Sequence, residues 1–198
     1  MDLSVYLHAM TALFVVIDPI GAALIFNSLT GKSDKKHRYV MATKAIIISG
    51  LTLVLFGNYG EMLFFHLGIN INSLRISGGL LLFFTAYQMI TSDINFTNKG
   101  EQNDISVFPM SIPLLAGPGS LTLAVLLFSN TGNIAGKFAV SGAIISTLLI
   151  TFVLMILSKH LRKIIGKTGD EILKRFLGVV LAALAIQFIY DGITNLIL

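Results

Sequence analysis

Apolar residues gather in long runs parted by short polar stretches. A helix needs about 20 such residues to cross a bilayer. Six runs meet that length, at roughly 5–29, 40–60, 73–91, 108–129, 137–158 and 174–196. The short apolar piece 62–67 cannot cross, and reads as an interfacial segment between the second and third spans. The pattern predicts an all-α membrane protein with six transmembrane helices in one domain over 1–198.

Two of the runs are interrupted in the same way. Asp18-Pro19 stands in the middle of 12–30, and Gly117-Pro118-Gly119-Ser120 in the middle of 108–128. A carboxylate at bilayer mid-depth costs roughly 2.5–3.5 kcal/mol on insertion scales, and proline inside a helix about 3 kcal/mol. Proline costs little only as the first residue of a helix, where its missing N–H had no partner. Pro19 and Pro118 are therefore expected to open half-helices, capped by Asp18 and Gly117. The first and fourth spans are predicted to be broken.

Pro19 and Pro118 lie 99 residues apart in a chain of 198. The same offset carries Gly79 onto Gly178 and Gln88 onto Gln187 without a gap, and sets Thr52-Leu53-Val54-Leu55 against Thr151-Phe152-Val153-Leu154. Each half (about 1–98 and 99–198) holds three spans, an odd number, so the second copy must run upside down. A 3+3 inverted repeat with broken helices meeting at the midplane is a transporter architecture. The polar stretch 92–104 is the expected boundary between halves.

Composition agrees with the membrane reading: 55% of residues are hydrophobic and 12% charged, against about 25% charged in soluble domains, and the mean hydropathy is +0.83. The net charge of +4 does not point to nucleic acid, because the basic residues gather in loops between spans. With the N-terminus outside, the inner side holds twelve Lys and Arg, at 32–44, Lys99 and 159–175, and the outer side only Arg75 and Lys137. The positive-inside rule then places both termini outside the cytoplasm of a cell membrane. The start Met-Asp-Leu-Ser-Val lacks the basic opening of a signal peptide, so the first run is expected to remain as a helix. The chain contains no cysteine, and its four histidines have no metal-ligand spacing. No phosphate loop, zinc-protease motif or nucleophile elbow is present. Neither a metal, a cofactor nor an enzyme activity is expected.

The chemistry of the two breaks differs. Each half-helix N-terminus offers free N–H groups and about half a positive charge. Asp18 adds a negative charge at the first; no acid offsets the second. A small zwitterion fits, its ammonium near Asp18 and its carboxylate on the backbone of Gly117, Pro118, Gly119 and Ser120, with Pro19 and Gly21 completing the first wall. Proton coupling through Asp18 is a further expectation. Asp18 as a cap alone, and Pro118 as a packing kink alone, are the plainer readings of the same residues. Asn27, Thr85, Gln88, Thr122 and Gln187 are candidates to line a path, and equally candidates for bonds to backbone or between helices.

Asp18-Pro19-Ile20-Gly21, Leu74-Arg75-Ile76-Ser77-Gly78-Gly79 and above all Phe108-Pro109-Met110-Ser111-Ile112-Pro113-Leu114-Leu115-Ala116-Gly117-Pro118-Gly119 resemble the MarC family of integral membrane proteins. Gly166-Lys167-Thr168-Gly169 and the run 188–193 fit the same pattern, so the resemblance spans the chain. It implies six spans and kinship to LysE-type exporters. For the SnatA-like branch it implies transport of small neutral amino acids such as glycine and alanine. One departure is visible: members often carry a proline shortly after the Asp-Pro-x-Gly motif, where this chain has Ala22-Ala23-Leu24. A less rigid first break follows from it.

The expected function is a secondary transporter of small neutral amino acids, coupled to protons. An exporter of another small metabolite or drug, and a membrane scaffold or assembly factor without transport, are the alternatives. The expected partners are a zwitterionic substrate, the lipid bilayer and a coupling proton, with a homo-oligomer left open.

Overall fold

A computed structural model describes residues 2–30, 33–91 and 104–197. The expected boundary between halves therefore lies, but for Asp104, outside the described residues, as do Lys32 and Lys99 of the charge count. Every regular element among the described residues is a helix. The elements are α1 (Leu3–Ile17), α2 (Pro19–Thr30), α3 (Lys35–His66), α4 (Ile71–Thr91), an irregular wide-turn segment (Ser106–Leu115), α5 (Pro118–Ser129) and α6 (Ile134–Ile197).

Four stretches are long and apolar enough to cross a membrane: Leu3–Thr30, Lys35–His66, Ile134–Gly166 and Glu171–Leu196. The bent pair Ser106–Leu115 and Pro118–Ser129, whose halves meet at 56°, makes a fifth if it is taken as one span. The remaining 21-residue helix, α4, has its apolar run diluted by Arg75, Gly78, Gly79 and Gln88. Exposed apolar side chains such as Leu51, Leu55, Phe84, Leu149, Val153 and Val179 ring the outer surface, as lipid contact requires.

Two expectations about the connections change. The piece 62–67 is not a separate interfacial segment, because α3 runs on through His66 before Gly68, at φ 71°, turns the chain. Nor is 158–175 a loop. Its residues are helical up to Gly166, which at φ 66° and ψ −178° breaks α6 into two arms, and helical again beyond it. Lysine, arginine, leucine and isoleucine are all adequate helix formers, so a basic stretch can leave the lipid without leaving the helix.

The main core gathers α1, α2, α3, α5 and the first arm of α6, around Leu13, Phe26, Leu53, Met110, Leu115, Leu123, Ile144 and Met155. A second, smaller core lies between α4 and the second arm of α6 and consists of Leu82, Ala86, Leu181 and Ala185. Its members form two pairs with a separation of 99 residues. The helices meet through glycines. A Cβ on Gly79 would stand 2.8 Å from the Ala185 carbonyl oxygen and 2.7 Å from Ile189 Cγ1. One on Gly178 would stand 3.2 Å from the Ala86 carbonyl oxygen and 2.9 Å from Ile90 Cγ1. Only a missing side chain lets the two backbones approach this closely.

Candidate functional site

The first break is built by one residue. The Asp18 amide donates to the Phe14 carbonyl at 3.1 Å, closing α1. Its backbone then turns to φ 48° and ψ 72°, the left-handed region that aspartate tolerates better than most residues. Its carbonyl accepts from the Ala22 amide at 2.9 Å and its Oδ1 from the Gly21 amide at 3.0 Å. Asp18 thus ends one helix and caps the next, with buried Pro19 as the first residue of α2. A Cβ on Gly21 would collide with the Asp18 carboxylate, so glycine there lets the carboxylate fold over the first turn.

The second break uses backbone where the first uses a side chain. Gly117 caps α5 in extended conformation, and its carbonyl accepts from the Leu121 amide at 2.9 Å. Before it, the chain doubles back so tightly that a Cβ on Gly117 would lie 2.2 Å from the Pro113 carbonyl oxygen. Pro109 and Pro113 follow cis peptide bonds in this stretch. The buried Ser120 hydroxyl donates to the carbonyls of Leu115, at 2.8 Å, and Gly117, at 3.1 Å. It thereby gives the Leu115 carbonyl a donor at the break and adds a second to the Gly117 carbonyl. No acidic residue occupies the first turn of α5.

The two breaks are neighbours. A Cβ on Gly119 would lie 3.7 Å from Val16 Cγ1, two residues before Asp18, and 2.4 Å from Leu82 Cδ2. The start of α5 therefore packs against the end of α1. The break at Asp18, Pro19 and Gly21 and the break at Gly117, Pro118, Gly119 and Ser120 are thus linked through the approach of Gly119 to Val16.

The expected path residues scatter. Thr122 is buried in α5, donates to the Pro118 carbonyl at 2.9 Å, and packs on α4, where a Cβ at Gly78 would meet its Cγ2 at 2.0 Å. Thr85 is exposed on α4 and donates to the Leu81 carbonyl at 2.9 Å. Gln88 is exposed on α4, and exposed Gln187 donates to Asp191 Oδ1 at 2.7 Å. Asn27 is buried at the far end of α2, where its Oδ1 accepts from Arg38 Nη1 at 3.2 Å.

Arg38 was not among the candidates. Its neighbours Lys35 and Lys36 made it look like one more basic residue flanking a span. The available signal was its type: a fork-shaped guanidinium suits fixed, buried hydrogen bonding better than an ammonium does. Outside the spans, Asp104 fastens the start of the irregular segment. It takes the Ser106 amide at 3.0 Å, a short bond from the Ser106 hydroxyl, and the Lys44 ammonium at 3.0 Å. These bonds hold its carboxyl down to about 2, the Ser106 hydroxyl first among them. Among the described residues no cluster of His, Asp or Glu has the arrangement to hold a metal ion.

Long apolar helices, a lipid-suited surface and broken spans define a multi-pass helical membrane protein. The chain belongs to the MarC family of integral membrane proteins, whose model matches residues 3–197. It is 34% identical over 202 residues to a UPF0056 membrane protein of Methanocaldococcus jannaschii, covering 98% of this chain and 89% of the relative. It is 31% identical over 205 residues to the UPF0056 membrane protein YvbG of Bacillus subtilis, covering 99% and 97%. A relative in Aquifex aeolicus is 29% identical over 201 residues, covering 97% and 94%. No solved structure matches the chain.

Proposed function

We propose that the protein is a secondary transporter of small neutral amino acids of the glycine and alanine class, coupled to protons through Asp18. One observation carries the proposal: the start of α5 lies against the end of α1, Gly119 beside Val16, two residues before the Asp18 cap, and only the first break has a carboxylate in its cap. Free N–H groups at the start of α5 suit a ligand carboxylate, and Asp18 suits its ammonium. The approach of Gly119 to Val16 supports a reading in which one zwitterion uses both breaks.

The architecture in this reading is a 3+3 inverted repeat of six spans, α4 included. The paired contacts of Gly79 with Ala185 and Ile189, and of Gly178 with Ala86 and Ile90, support it, since each partner has its counterpart 99 residues away. The twelve-to-two distribution of Lys and Arg supports termini outside the cytoplasm of a cell membrane. Alternating access then follows from one half rocking against the other around the breaks.

The test is counterflow of labelled glycine and alanine by the purified protein in liposomes. Exchange that responds to pH in the native chain and loses that response in Asp18→Asn is expected. Exchange with an unchanged pH response in the variant removes Asp18 from the mechanism. Absence of exchange across a panel of amino acids overturns the transport reading.

A further inference from the structure

At the basic end of the bundle, α2, α3 and α6 are joined by a single side chain. Arg38 is only 5% exposed. Its Nη1 donates to Asn27 Oδ1 at 3.2 Å, and its Nη2 to Ser158 Oγ at 2.7 Å and the Met155 carbonyl at 3.5 Å. The guanidinium carbon lies 5.4 Å from the Phe26 ring centre. All of these acceptors are neutral. No carboxylate among the described residues pairs with Arg38, so it is a buried cation without a counter-charge. Burying a charge is costly unless it is paired.

The offset of 99 residues sharpens the point. The counterpart of Arg38 is Lys137, which is exposed, and that of Asn27 is Leu126, which is apolar and buried. The opposite end is tied instead by exposed bonds, Arg75 Nη2 to Asn130 Oδ1 at 2.8 Å and Asn72 Nδ2 to the Asn195 carbonyl at 3.0 Å. The buried latch therefore belongs to one end alone. It grips α2, the half-helix that Asp18 caps.

We infer that Arg38 is the gate at the basic end, and that its missing counter-charge is the carboxylate of the passing ligand. A carboxylate accepts both prongs of a guanidinium in a charge-assisted pair, which is stronger than the bonds to Asn27 and Ser158. Its arrival frees α2 from α3 and α6 and opens this end; its departure restores the latch. This inference rests on the transport reading and makes the free carboxylate of the ligand the group that opens the gate.

The native chain has no cysteine, so a single reporter can be placed at Thr30, 1% exposed at the end of α2. Thr30→Cys in liposomes is challenged with a membrane-impermeant maleimide from the basic side. Labelling is expected to accelerate about tenfold or more with Arg38→Met, the ratio for losing a charge-assisted hydrogen bond. Asn27→Leu, which copies the other half and keeps the arginine, gives a smaller rise. Saturating alanine accelerates labelling of the parent, and alaninamide, which lacks the carboxylate, does not. Equal labelling rates in all three proteins overturn the latch, and equal effects of alanine and alaninamide overturn the role of the carboxylate. Counterflow of labelled alanine in the same vesicles separates the two readings. Exchange with unchanged labelling removes the gate and leaves transport standing; labelling that rises in Arg38→Met without any exchange keeps the latch and removes transport.

Discussion

Gly79 and Gly178 each press against the backbone of an alanine seven residues past the other's own position, Gly79 against Ala185 and Gly178 against Ala86. The contact is reciprocal, and both sides of it lack a side chain for the same steric reason. Alanine at Gly79 places a methyl 2.8 Å from a carbonyl oxygen and 2.7 Å from Ile189, while at Gly178 the nearest atom is 2.9 Å away. Gly79→Ala is expected to destabilise by about 1–3 kcal/mol, as overpacking does, and Gly178→Ala by less. Thermal unfolding in detergent measures both, and equal or absent losses count against tight packing of α4 on α6.

Asp18 combines a cap with a charge, and the two can be separated. Asparagine keeps an oxygen for the Gly21 amide and tolerates the left-handed backbone at φ 48°. Asp18→Asn should therefore unfold at nearly the native temperature, whereas Asp18→Ala loses about 1 kcal/mol with the cap. A large loss in Asp18→Asn would show that the charge itself holds the break together.

The second break depends on the Pro113 carbonyl lying where a Gly117 side chain would be. Unlike the tip of a flexible side chain, backbone cannot step aside. Gly117→Ala is expected to lose folded protein, scored as the monodisperse fraction in size-exclusion chromatography. Gly132→Ala, where a Cβ meets nothing within 4 Å, should behave as the native chain.

Asp104 gives the bundle a pH response outside the membrane. Its folded carboxyl titrates at about 2, below its ordinary 3.8. Its bonds to Ser106 and Lys44 therefore favour the folded state at all pH values above about 4, and that contribution fades as pH falls through 2. The native chain should lose more thermal stability between pH 6 and pH 2.5 than Asp104→Asn does. Parallel losses would show that the pairing contributes nothing.

The breaks were legible because proline and a mid-run carboxylate are too costly to occur in lipid without a structural role. The offset of 99 residues was legible because Pro, Gly and Gln are rare enough for coincidence to be informative. Helix ends were less so. Depth in a membrane is written in hydropathy, but the continuation of α3 through His66 and of α6 through Lys159, Arg162 and Lys163 depends on backbone propensity, which those residues satisfy on either side of the interface. Arg38 escaped notice for a third reason. Its partners Met155 and Ser158 lie 117 and 120 residues away, and no local pattern encodes a contact so distant.

Helix α3 has 32 residues, which at 1.5 Å each come to about 48 Å, well beyond the hydrocarbon thickness of about 30 Å. Its far end carries exposed Tyr59, Met62 and Phe65, while the first arm of α6 ends in Lys159, Arg162 and Lys163. The basic first turn of α3 can stand outside the lipid, and a lean of the helix accommodates the apolar remainder. The lean of α3 is then expected to follow the thickness of the surrounding bilayer.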